Sequence, residues 1–134
     1  MTETRPTVLE WIDREAVRGP VFRLSGDVGH RDAERCLRVC AQATPDSAYR
    51  SAFEEIVSQL VVQWGGSIEL VLDFQGDGPS GPGDALQMCR SLGSSGHVDK
   101  ITLIQKPWMP TALVSTVLRL LRASGTPIFV EKTP

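Results

Sequence analysis

Hydrophobic and polar positions along the chain change period several times, and each change predicts an element. The segment from Thr7 to Ala16 mixes apolar and charged residues, and a Gly19-Pro20 turn leads into the apolar-rich run Val21 to Val28. Two strands about a Gly-Pro turn predict an N-terminal β-hairpin. Ala33, Cys36, Leu37 and Cys40 then recur at i, i+3, i+4, i+7, the one-sided pattern of a helix. Thr44-Pro45-Asp46 interrupts that helix and opens another, because proline is tolerated in a first turn and Thr or Asp caps it. The second helix, over about 45–66, carries the cleanest stripe in the chain: Phe53, Ile56, Val57, Leu60, Val61 and Trp64, ended by Gly65-Gly66.

Beyond it, Ile68 to Phe74 reads as a buried strand that enters a Gly/Pro-rich loop, QGDGPSGPGD. Ala85, Met88, Cys89 and Leu92 mark the following helix, and Gly93 to Gly96 breaks it. VDKITLIQ is a further strand, stopped by Lys106-Pro107. Pro110 opens a last helix with Leu113, Val114, Val117, Leu118 and Leu121 on one stripe, and Gly125-Thr126-Pro127 turns the chain into a final strand, IFVEK. The predicted order is β-β-α-α-β-α-β-α-β. Strands alternating with helices imply βαβ units, so the expected fold is α/β: one mixed, mostly parallel sheet with an N-terminal β-hairpin and about four helices. At 134 residues, 1–134 is expected to be a single domain.

Composition narrows the function classes. A formal net charge of -2, with basic residues scattered, gives no electrostatic reason to expect nucleic-acid binding. No apolar run approaches the length of a membrane span. The start, MTETRPTVLEWIDRE, is mixed in charge and lacks the apolar core of a signal peptide. Three cysteines, Cys36, Cys40 and Cys89, cannot all pair and fall on predicted apolar helix faces. That is cytoplasmic usage, and cytoplasmic localisation is expected.

The candidate chemistry gathers in the loop after Asp73. A triad of Asp73, Ser80 and either His30 or His97 lacks the G-x-S-x-G elbow that exposes a nucleophilic serine, so a hydrolase is the least favoured reading. Cys36 and Cys40 at i, i+4 have no second ligand pair, as a four-ligand zinc site requires, and read as core. Gly76, Gly78 and Gly81 fit G-x-G-x-x-G. Pro79 and Pro82, however, remove backbone donors from the would-be phosphate turn, and the following strand ends in Gln105-Lys106 without the ribose-binding acid. No catalytic residue, metal or cofactor is therefore assigned. Ser80 is either a turn serine or a regulatory hydroxyl. A phosphate on it would add about two negative charges at a helix mouth, beside Asp77 and Asp84. Trp108, in KPWMP, is a candidate partner contact.

The ordered pieces resemble a STAS domain, the fold of bacterial anti-sigma-factor antagonists, over about residues 20–134. VFRLSGDVGHRDAERCLRVC resembles that family's strand, Gly-acid turn and first helix; SIELVLDFQGDGPSGPGDALQM its central strand, phosphorylatable loop and helix; VLRLLRASGTPIFVEKTP its closing helix, glycine turn and strand. The resemblance implies a non-enzymatic regulatory module that binds a protein partner, a kinase or an anti-sigma factor, with Ser80 before Gly81 as the phosphorylated position. Asp73, Asp77, Ser80, Gly81, Asp84 and Trp108 are the expected partner-binding residues. Gly78-Pro79 stands where the family carries an acid-serine pair, Pro82 replaces an apolar residue, and the 45–66 helix is additional. The layout is also similar to the lipid-binding CRAL-TRIO domain, which makes a small lipid- or ligand-binding module the alternative.

Overall fold

The computed structural model describes residues 8–41, 47–74, 82–107, 110–123 and 125–132; for Phe74, residues 82–86 and Leu113 it describes the backbone alone. The elements are β1 (Leu9–Trp11), β2 (Gly19–Leu24), β3 (Asp27–Ala33), β4 (Cys36–Ala41), α1 (Ser47–Trp64), β5 (Ile68–Phe74), α2 (Pro82–Ser94), β6 (Val98–Gln105), α3 (Thr111–Ala123) and β7 (Ile128–Lys132). All seven strands join one sheet in the order β1 to β7. The α/β class holds, with one mixed sheet. Its pairs divide evenly, β1 to β4 antiparallel and β4 to β7 parallel, so the sheet is less parallel than expected.

The largest correction concerns the first expected helix. Residues 36–41 form strand β4, and the described residues hold three helices rather than about four. Leu37, Val39 and Ala41 are buried while Cys36, Arg38 and Cys40 are half-buried, an alternation of period two. A six-residue segment satisfies both periods. Val39, which the helical stripe left out, is the position that distinguishes them.

The expected hairpin also changes shape. β1 pairs with β2 across a connection over 12–18, and Pro20 lies within β2 rather than in the turn. The run Val21 to Val28 bends at Ser25-Gly26, whose φ values of 50° and 96° make a two-residue hairpin turn with Leu24 opposite Asp27. Positive φ at both central residues matches the right-handed twist of the flanking strands. Strands β1 to β4 are thus a four-stranded meander.

Elsewhere the sequence periods translate directly. In α1, Phe53, Ile56, Val57, Leu60 and Trp64 are buried as expected, joined by Tyr49. The helix ends as Gly65 takes φ 82° and the Gly66 N–H donates to the Val61 carbonyl at 3.0 Å, satisfying an otherwise orphaned acceptor. Each parallel connection steps to the next strand in the same direction, and right-handed crossovers of that kind lay their helices on one face. Arg50 and Glu54 of α1 hydrogen-bond Gln87 and Ser91 of α2, and α2 packs on α3. The core lies between this helical layer and the sheet, with Phe22, Leu24, Leu37, Leu70 and Ile101 from the strands meeting Phe53, Ile56, Leu60, Leu92 and Leu121 from the helices.

Candidate functional site

Strand alternation sends Asp73 away from the helices. On β5, Ile68, Leu70 and Leu72 enter the core, so Glu69, Val71 and Asp73 share the opposite face with Cys36, Arg38 and Cys40 of β4. Asp73 pairs in register with Cys40 at the carboxyl end of the parallel strands. Asp73 is buried, 8% exposed as a residue, and its carboxylate meets two cations. Lys106 Nζ, just past β6, lies 2.8 Å from Oδ1, an ion pair rather than an aligned hydrogen bond. Arg38 Nη1 lies 3.5 Å from Oδ2, and Arg38 Nε donates to Asp32 Oδ2 at 2.6 Å.

The result is an alternating chain, Asp32–Arg38–Asp73–Lys106, that crosses the helix-free face from β3 through the middle of β4 to the carboxyl ends of β5 and β6. The Asp32–Arg38 pair is more than a third exposed on both sides, where screening leaves at most about 1 kcal/mol. The better buried Asp73–Lys106 pair pins the end of β5 to its neighbour. The hydrogen bond that Arg38 donates to Asp32, then the charges of Asp32 and Asp73, raise the Arg38 pKa above its ordinary value despite burial. Arg38 escaped notice in the sequence because its segment read as a helix. Lys106 had a visible signal, since like Asp73 it closes an apolar strand.

Cys36 and Cys40 flank Arg38 on this helix-free face and are not core, contrary to expectation; Cys89 is buried as expected. Four residues along a strand separate the two thiols by about 13 Å, too far to share a metal ion or a disulfide. Burial first, then nearby carboxylates (Glu69 and Asp32 for Cys36, Asp73 for Cys40), pushes both thiols above their ordinary value. Burial alone raises Cys89. Ellman's reagent at pH 8 is therefore expected to titrate two thiols slowly in the native protein and the third only in urea. Prompt reaction of all three without denaturant would contradict this placement.

Other expected site residues fall differently. Asp77, Ser80 and Gly81 lie outside the described residues, as does Trp108; Asp84 belongs to the first turn of α2, where only the backbone is described. β5 ends at Phe74 and α2 begins at Pro82, so the segment that carries Ser80 follows directly on the Asp73 ion pairs. Neither histidine joins Asp73. The His97 carbonyl accepts from the Ile68 N–H at the amino end of β5, about 16 Å along the strand from Asp73. His30 sits on β3, two strand spacings across and two residues along the sheet, about 12 Å away.

The straight strand order has a further consequence. Ligand crevices of open α/β sheets form where successive crossovers diverge to opposite faces, and a sheet wound in one direction has no such point. Among the described residues, no three His, Cys, Asp or Glu side chains gather as a metal site, and no helix is long and apolar enough to cross a membrane. Comparison of the chain with protein-family models, curated proteins and solved structures finds no match.

Proposed function

We propose that the chain is a non-enzymatic, cytoplasmic regulatory module of the anti-sigma-factor-antagonist type, binding a protein partner through the loop between β5 and α2. The observation that carries this reading is the ion-paired Asp73, which gives the loop a fixed root at the carboxyl edge of a sheet that lacks a ligand crevice. A recognition loop on a rigid scaffold is the usual division of labour between loops and sheets. Ser80 is the regulatory hydroxyl, and its phosphorylation inserts negative charge between Asp77 and Asp84 on the surface the partner reads. The lipid-binding alternative needs an apolar cavity under α3, yet Val117, Leu118 and Leu121 pack on the core there.

The test is affinity capture with the full chain, followed by titration of the captured partner against wild type, Ser80→Ala and Ser80→Asp. Wild type and Ser80→Ala are expected to bind alike, and Ser80→Asp to bind at least tenfold more weakly, about 1.4 kcal/mol. Equal affinity for all three would remove Ser80 from the mechanism.

A further inference from the structure

A second recognition site lies at the other end of the molecule, where the carboxyl end of α1 meets the 12–18 connection. A cleft of ≈ 640 Å³ opens there, within the size range of ligand-binding pockets. Trp64 is its buried wall, donating its indole N–H to the Arg14 carbonyl at 3.1 Å. The Arg31 guanidinium lies 4.4 Å over the Trp64 ring and donates to the Ala16 and Glu34 carbonyls. These bonds staple the 12–18 connection to the β3–β4 turn, and neutral carbonyls leave the charge of Arg31 in place.

The Arg14 guanidinium stacks 4.1 Å over Trp11, and no described carboxylate lies within ion-pair distance of it or of Arg31. Arg23, Arg38 and Lys106, by contrast, each have an acidic partner. Among the described residues one carboxylate lines the cleft, Glu15, and it accepts from the Gln63 amide at 3.5 Å. Two guanidiniums against one carboxylate leave a local excess of positive charge on a chain of net charge -2. Val62, 82% exposed, adds an apolar lip.

We propose that this cleft binds a short acidic peptide segment of a partner protein. A peptide carboxylate docks on the stacked Arg14 fork, whose planar donors match a carboxylate and which stacking already orients. An adjacent apolar side chain covers Val62 and the edge of Trp64, and the Gln63 amide bonds the peptide backbone. Extended polyanions are disfavoured, because outside the cleft the chain's net charge repels them. The inference stands apart from Ser80: the cleft is built on the end of α1, which leads into the amino end of β5, whereas the segment with Ser80 follows the carboxyl end of β5 in the chain.

The test uses the full ¹⁵N-labelled chain titrated with a synthetic capped peptide, Glu-Leu-Glu-Val-Glu, with a glutamine-for-glutamate peptide and inorganic phosphate as comparisons. Saturable shifts are expected at the Trp64 indole N–H and the Gln63 side-chain amide, weakening as salt rises. Arg14→Gln, which keeps the backbone carbonyl that accepts from the Trp64 indole, is expected to weaken binding at least fivefold. Val62→Glu is expected to do the same by repulsion, while Ser80→Asp leaves binding unchanged. The proposal is overturned by no saturable shift into the millimolar range, by equal shifts with the glutamine peptide or phosphate, or by undiminished affinity in both cleft variants.

Discussion

Replacing Gly29 with alanine is expected to destabilise the protein by about 3 kcal/mol, the upper part of the usual range for overpacking a core. Gly29 pairs directly with Phe22 across β2 and β3, and the Phe22 ring lies against the bare α-carbon. A Cβ there would sit 2.1 Å from Phe22 Cε1 and 2.4 Å from Cζ, far inside van der Waals contact. Phe22 cannot swing aside, because it is fully buried and packs edge-on against both Trp11 and Phe53. For a domain whose total stability is about 5–15 kcal/mol, the loss is large. Urea denaturation would measure it, and Phe22→Leu in the same chain is expected to recover more than 1 kcal/mol as coupling. Wild-type stability in Gly29→Ala, or strict additivity in the double variant, would contradict the packing described.

A second large effect is expected in alkali. Burial raises the Cys89 thiol from 9.0 to about 12, so the folded chain holds a proton that the unfolded chain releases. The stabilisation is complete below pH 9 and is lost as pH rises through the window from 9 to 12. The full loss over about three pH units amounts to about 4 kcal/mol. Tyr49 acts in the same direction above pH 10: burial, the Asp27 charge and its hydrogen bond to Asp27 all raise its pKa. Urea midpoints are therefore expected to fall steadily from pH 9 to 11. Cys89→Ala is expected to start lower, from lost packing, and to fall less steeply. Parallel curves for the two proteins would exclude Cys89 as a source of the slope.

Both expectations rest on contacts that the sequence displays unevenly. Cys89 was legible as core because it shares a helical stripe with Ala85, Met88 and Leu92. The Phe22–Gly29 contact was not, since it depends on the turn at Ser25-Gly26 that folds one apparent strand into two. Ser-Gly before an acidic residue was the available signal for that turn. At the candidate site Asp73 was visible as a carboxylate closing an apolar strand. Its partners were not, because Arg38 and Lys106 are far from it in the chain and arrive only through the parallel register of β4, β5 and β6. The Arg31–Trp64 stack was invisible for the same reason, uniting β3 with the end of α1.

By itself, the sequence determined α1, β5, β6 and β7 and the α/β class, because long or strongly alternating apolar patterns admit one way of hiding their apolar face. Tertiary structure decided residues 27–41. There the local pattern suits a helix and a strand alike, but as a strand β4 pairs with β3 on one side and β5 on the other. Backbone groups paired along both edges, with Leu37 and Val39 driven into the core, outweigh a weak helical periodicity. That choice also set Cys36, Arg38 and Cys40 on the helix-free face and brought Arg38 to Asp73, since a strand's period of two fixes its outward side chains once the inward ones are buried.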